Sequence, residues 1–260
     1  MPELPEVEAY RQLAEQALGR MVSTVRVTDP RFVRGPSGPA ALVGALRQHR
    51  FVAARRHGKL LVLDLDSGHR LGLHFGMTGR LLVDGTPGVD GLLYSSDRGL
   101  PVWDRLIVGL ADGGSLVVSD PRLLGGASLD PDEQRLGPDA RSVTPAELRR
   151  ALAGSASALK ARLLDQAKLA GVGNLMADEL LWRASLAPGR RAGSLSPAEQ
   201  RRLLHHLRAT VELLMARGGS HMGDLMAERH PGGRCPRDGA GLRRSTIGGR
   251  TSWWCPAHQR

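Results

Sequence analysis

The sequence predicts an α+β protein: an N-terminal antiparallel β-sandwich with a leading helix, a helical segment, and a C-terminal β-hairpin carrying metal-ligand spacing. Three observations predict it. Short β-prone runs follow one another from Val22 to Ser119, separated by turn residues. Two matched capping boxes, Thr144-Pro-Ala-Glu147 and Ser196-Pro-Ala-Glu199, open amphipathic stretches in the second half. Cys235-Pro-Arg-Asp238 and Cys255-Pro-Ala-His258 then form two pairs of ligand-type residues, each pair separated by two residues.

The elements follow in order. Val7, Tyr10, Leu13, Ala14, Ala17 and Leu18 recur at helical spacing after Pro5, and Gly19 suits the helix end. Strands are expected at Val22–Val27, Leu60–Leu65, Leu71–Phe75, Leu81–Val83, Leu106–Leu110 and Leu116–Val118. Pro36 to Pro39 reads as a loop, and the Pro-, Asp- and Gly-rich residues from about 130 to 145 read as a linker. Helices are expected at Ser157–Gln166 and Leu175–Ala184, joined by the tight turn Leu169-Ala-Gly-Val-Gly-Asn174. Gly218-Gly219 ends a long last helix. The expected domains are 1–130, 131–225 and 226–260.

Composition bounds the function. With 260 residues and 41% hydrophobic content the chain buries a core without disulfide staples. It has no run of 18 apolar residues, and it opens MPELPEVE, unlike a secretory signal. Two cysteines are too few for a disulfide scaffold, so a cytoplasmic monomer without membrane contact is expected. Charge is uneven: residues 1–130 carry 15 Lys/Arg against 14 Asp/Glu (net +1), and residues 131–260 carry 21 against 12 (net +9). Such a basic half suits a polyanion such as nucleic acid; a solvated basic surface is the alternative.

Four features carry chemistry. Removal of Met1 would expose the secondary amine of Pro2, a nucleophile that forms an iminium ion with an aldehyde carbon. Glu3 and Glu6 stand beside it as proton carriers, or as simple complements to the helix dipole. Gly171-Val-Gly-Asn174 frees backbone N–H groups at a helix start, an anion site or a plain helix–helix turn. Met77, in His74-Phe-Gly-Met-Thr-Gly79, is either a buried strand-end residue or an exposed apolar wedge that fills the gap left by an everted base. In the tail, Cys235, Asp238, Cys255 and His258 have the spacing of a mixed-ligand zinc site, and one structural Zn2+ is expected there, with His230 as the competing fourth ligand. A disulfide and a metal-free hairpin held by Ile247, Trp253 and Trp254 are the other readings.

Together and in this order, Pro2-Glu-Leu-Pro-Glu-Val-Glu8, His74 to Gly79, Ser119-Asp-Pro-Arg122, Leu164-Asp-Gln166, Gly171 to Asn174 and the terminal finger resemble the formamidopyrimidine-DNA glycosylase/endonuclease VIII family. The resemblance spans essentially the whole chain. It implies a β-sandwich, a helix–two-turn–helix domain, a zinc finger, and double-stranded DNA with damaged bases or abasic sites as partner, bound on the nucleoid. By the same resemblance Pro2 matches the Schiff-base nucleophile, Glu3 the acid/base group and Glu6 a supporting acid. Lys59 matches a lysine near the lesion phosphate, Asn174 and Arg250 the pair gripping that phosphate, Met77 the wedge, and Lys160 a further backbone-contacting lysine. Arg122 and Leu124 lie in the segment that meets the opposite strand.

The chain departs from the family pattern in three places. Leu123 and Leu124 stand where the formamidopyrimidine branch has Arg and Phe, which leaves the opposite base open. Gly219 to Cys235 is short, so the lesion class extends to oxidised pyrimidines, ring-opened purines and bulkier adducts. Asp238 and His258 replace two of the usual cysteines. The expected activity is a bifunctional glycosylase/AP lyase with β- or β,δ-elimination. A non-catalytic DNA-binding protein on the same scaffold is the competing reading, and an RNA-binding finger protein a remote one.

Overall fold

The computed structural model describes residues 2–93 and 99–260, so Met1 lies outside the described residues. The chain divides into two compact units, Met1–Glu133 and Gln134–Arg260. The hairpin expected as a separate domain from residue 226 belongs to the second unit, where helix side chains hold it.

The first unit opens with α1, Leu4–Ala14, which continues as a 3-10 turn over Glu15–Ala17. Its Glu3 and Glu6 form a capping box: the Glu6 carboxylate accepts the Glu3 backbone N–H at 2.8 Å. The strands are β1 (Val22–Val27), β2 (Phe51–His57), β3 (Leu60–Leu65), β4 (Arg70–His74), β5 (Arg80–Val83), β6 (Thr86–Pro87), β7 (Asp104–Leu110), β8 (Ser115–Ser119) and β9 (Gly126–Leu129). They pair antiparallel in two sheets, ordered β1-β7-β8-β5-β6 and β2-β3-β4-β9. Alternation builds the core. Leu61, Leu63 and Leu65 of one sheet and Leu106, Val108, Leu116 and Val118 of the other join a single apolar cluster with Tyr10 and Phe75.

Three strands and a helix differ from the sequence expectation. β2 carries an Arg-Arg-His end, β6 is the two-residue Thr86–Pro87, and β9 is the small-residue run Gly-Ala-Ser-Leu; their pairing partners make them strands. Within the expected loop at 36–39, a helix α2 (Gly38–Leu46) starts, with Pro39 in its first turn and Leu42 and Leu46 buried.

The second unit holds α3 (Pro145–Leu152), α4 (Leu159–Leu164), α5 (Asn174–Arg183) and α6 (Pro197–Ala216), followed by β10 (Arg243–Ile247) and β11 (Arg250–Trp254). Both capping boxes form as expected. The β10–β11 hairpin turns on Gly248 and Gly249, at φ +57° and +72°, the left-handed pair that a two-residue turn of this hand requires. Among the described residues no helix is long and apolar enough to cross a membrane.

Candidate functional site

The N-terminal candidates sit at the head of α1. Pro2, Glu3 and Glu6 are all buried, and Glu3 is wholly inaccessible. Two turns further along α1, Tyr10 packs its ring on Phe75 at 4.5 Å between centroids and donates its hydroxyl to the Gly79 carbonyl at 3.2 Å. Burial, and secondarily the Glu6 carboxylate, push the Tyr10 hydroxyl well above its ordinary pKa, so it stays a donor. The helix bearing Glu3 and Glu6 is thereby fixed against the loop bearing Met77. Glu8 anchors the other side of α1, where Arg56 of β2 meets its carboxylate at 3.1 Å. Lys59 follows Gly58 in the turn between β2 and β3 and is half-buried.

Met77 and Leu124 lie on two loops that one side chain joins. The Asp120 carboxylate, fully buried, accepts the Thr78 hydroxyl at 2.5 Å, the Gly125 N–H at 2.8 Å and the Arg122 N–H at 3.3 Å. The loops also touch through backbone: a Cβ at Gly76 would stand 2.5 Å from the Leu124 carbonyl carbon, so only glycine fits. Leu124 is 45% exposed, and Leu123 is held at φ +53°, a strained conformation for leucine. Met77 is half-buried, its sulfur 3.8 Å from the Arg122 guanidinium. Asp120 stood in a recognised motif without a role; its place in Ser119-Asp-Pro-Arg122 was its only sequence signal.

In the second unit Asn174 is the first residue of α5, after Gly171 at φ +110°. Gln166 shapes this turn: its amide donates to the carbonyls of Leu164 (2.8 Å) and Val172 (3.0 Å) and accepts the Gly171 N–H (2.9 Å). The Asn174 side-chain oxygen is buried with no partner among the described residues, although such atoms are ordinarily satisfied. Arg250 is exposed at the start of β11.

Lys160 corrects an expectation. It is fully buried, its ammonium 2.6 Å from Asp178 and 2.9 Å from the Thr251 carbonyl. A group so enclosed does not reach a DNA backbone; it ties α4 to α5 and β11. Asp178 was missed by sequence reasoning. Its signal was an acid pair, Asp178-Glu179, inside the apolar run of α5, where an unpaired charge is costly.

Cys235, Asp238, Cys255 and His258 converge, their ligand atoms all within 4.8 Å of one another. Both thiols are free and buried. His230 stays outside: its Nδ1 lies 2.9 Å from the Pro231 carbonyl. The set fits a tetrahedral ion. The Cys255–Asp238 and Cys235–His258 separations of 3.4 and 3.7 Å match the roughly 3.5 Å expected around bonds of about 2.0 Å to N or O and 2.3 Å to S. The outer contacts fit as well. Trp182 Nε1–H and the Arg237 N–H point at the Cys235 sulfur at 3.3 and 3.4 Å, and His258 Nε2 faces the Trp182 carbonyl at 3.4 Å, while His258 Nδ1 lies 2.7 Å from the Asp238 carboxylate, two atoms that an ion would draw apart. Without a cation, burial pushes the Cys255 thiol up to about 11.

Comparison with known proteins places this arrangement. Residues 1–127 match the family described as formamidopyrimidine-DNA glycosylase N-terminal domain, and residues 136–224 its H2TH domain. The chain belongs to the formamidopyrimidine-DNA glycosylase family. Members of this family are DNA glycosylases, and AP lyase activity is characteristic of them. The formamidopyrimidine-DNA glycosylase of Nocardioides sp. is 35% identical, covering 100% of this chain and 94% of that protein. That of Thermomicrobium roseum is 36% identical, covering 100% and 99%. Among solved structures, the wild-type Lactococcus lactis enzyme in complex with DNA containing N7-benzyl-Fapy-dG superposes with a TM-score of 0.84 at 26% identity, covering both chains fully. The same enzyme bound to abasic-site DNA gives 0.83 at 25%.

Proposed function

We propose that this chain is a base-excision-repair DNA glycosylase and AP lyase, acting on chromosomal DNA with oxidised or ring-opened bases. The observation that carries the reading is the head of α1, where Pro2 adjoins two buried carboxyl groups locked in a capping box. Full-length relatives named formamidopyrimidine-DNA glycosylase support it.

In this reading the Pro2 nitrogen attacks C1′, the glycosidic bond breaks, and the base leaves with its electron pair, protonated by way of Glu3. The sugar ring opens to an iminium ion on Pro2, with Glu6 holding Glu3 in place. The iminium acidifies the C2′ proton; its removal expels the 3′ phosphate oxygen, and water then releases Pro2. Everting the base costs a few kcal/mol, offset by Met77 and Leu124 filling the stack and by Lys59, Asn174 and Arg250 on phosphates. The Cys235, Asp238, Cys255 and His258 side chains would hold one structural zinc ion, which would fix the hairpin fold.

Borohydride trapping on abasic-site duplex tests the proposal. A covalent adduct is expected from the native chain and none from Pro2→Gly. An undiminished adduct in Pro2→Gly refutes the assignment, and no adduct with the native chain, despite binding, favours a non-catalytic DNA-binding protein.

A further inference from the structure

One carboxylate in the second unit gathers four chain segments. Asp178 Oδ1 receives the Lys160 ammonium at 2.6 Å and the Ser252 hydroxyl at 2.7 Å. Its Oδ2 receives the Trp253 N–H at 3.1 Å and the Arg229 guanidinium. Asp178, Lys160 and Ser252 are almost entirely excluded from solvent. Two cations meet this one carboxylate away from solvent, and charge-assisted hydrogen bonds are strong and directional.

The geometry around this joint is informative. Asp178 is one turn beyond Asn174 on the same face of α5, about 6 Å along the axis. Ser252 is two residues beyond Arg250 on the same face of β11, about 6.6 Å along the strand. The two elements run in the same direction. After Asp178 meets Ser252, the chain continues to Cys255 and His258, and His258 reaches the Trp182 carbonyl at the far end of α5. These offsets put Arg250 on the Asn174 side of the Asp178–Ser252 contact, toward the N-terminal end of α5, whose dipole favours an anion. Gly248, packed on Ala161 of α4, seats the hairpin turn from the other side.

We propose that Asp178 is a positioning residue for phosphate recognition: its buried carboxylate clamps Ser252 and Trp253 so that Arg250 and Asn174 act on one phosphate as a fixed pair. Lys160 and Arg229 are the internal cations that hold Asp178 in that state. This inference rests on the proposed phosphate grip of Asn174 and Arg250.

A double-mutant cycle tests it. Affinity for a duplex containing a tetrahydrofuran abasic analogue is measured by fluorescence anisotropy across a salt series. The chains compared are native, Ser252→Ala, Arg250→Ala and the double variant; Ser252→Ala leaves both buried ion pairs in place. Ser252→Ala is expected to weaken binding about tenfold in the native background and less than about twofold in the Arg250→Ala background. It also lowers the salt slope by about one, as Arg250→Ala does. Equal losses in both backgrounds, or an unchanged slope, overturn the proposal while leaving the phosphate grip intact. If Arg250→Ala itself leaves affinity unchanged, the grip fails and the proposal with it. Should Ser252→Ala not fold, Ser252→Cys, which keeps the side chain's size and both ion pairs while weakening the hydrogen bond to Asp178, passes through the same cycle against the same criteria.

Discussion

Replacing Asp120 by alanine should loosen both loops that carry Met77 and Leu124. The carboxylate is fully buried and serves three donors, two of them themselves buried: the Thr78 hydroxyl at 2.5 Å and the Gly125 N–H at 2.8 Å. A buried donor left without an acceptor costs about 1–3 kcal/mol. The Gly125 N–H is fixed by the backbone and bears the full cost, whereas the Thr78 hydroxyl can rotate, so the sum is about 3 kcal/mol. That is roughly a hundredfold in the folding equilibrium of the first unit. Leu123, held at φ +53° by the same turn, then relaxes and carries Leu124 with it. With a urea m-value of about 2 kcal/mol/M, the first-unit transition followed by circular dichroism should fall by about 1.5 M, while the second-unit transition serves as the internal reference. Asp120→Asn keeps one acceptor oxygen for Gly125 and should lose about 1 kcal/mol. Binding to abasic-site duplex should weaken in the alanine variant more than in the asparagine variant. An alanine variant within about 0.5 kcal/mol of the native chain would refute the assignment of Asp120 as the joint between the loops.

Gly248→Ala should displace the hairpin tip, because φ is +57° there and the added Cβ meets Ala161 Cβ at 2.9 Å; DNA affinity should drop several-fold with little change in unfolding of the helices, measured by anisotropy and circular dichroism. Glu199, held down to about 2 by Arg190 and its own capping box, contributes stability that is fully present above the ordinary glutamate value of 4.5 and lost as pH falls toward 2. In Glu199→Gln the acid limb of a pH–stability curve should flatten across that window. Chelation at neutral pH should release one equivalent of zinc, melt the hairpin and weaken DNA binding without altering the first-unit transition. Because thiols must lose protons to bind the ion, metal retention should rise with pH, as read by elemental analysis after dialysis.

Much of the architecture was legible in the amino-acid order. The β-prone apolar runs at 60–65 and 116–118 and the capping boxes at Thr144 and Ser196 are local signals, and each formed the element it predicted; the spacing of Cys235-x-x-Asp238 and Cys255-x-x-His258 brought four ligand-type side chains together. β2 and β9 were missed because charged residues in one and small residues in the other interrupt any β-prone apolar run; they are strands only because β3 and β4 offer free edges. Lys160 was misjudged for a similar reason. A lysine in a basic half of the chain reads as a surface charge, and nothing near it in sequence announces that Asp178, eighteen residues on, faces it inside the fold.

The sequence by itself determined which elements form, where the chemistry-bearing residues lie along the chain, and that the basic charge belongs to its second half, since helix caps, pleat period and ligand spacing act over a few residues. Tertiary structure alone decided which distant groups meet. Asp120 joins loops more than forty residues apart, and Asp178 aligns a strand with a helix start more than seventy residues away. It also selected Asp238 over His230 beside the two thiols. Such pairings depend on burial, where a charge must find its partner or not be buried at all, and burial exists only once the chain has folded.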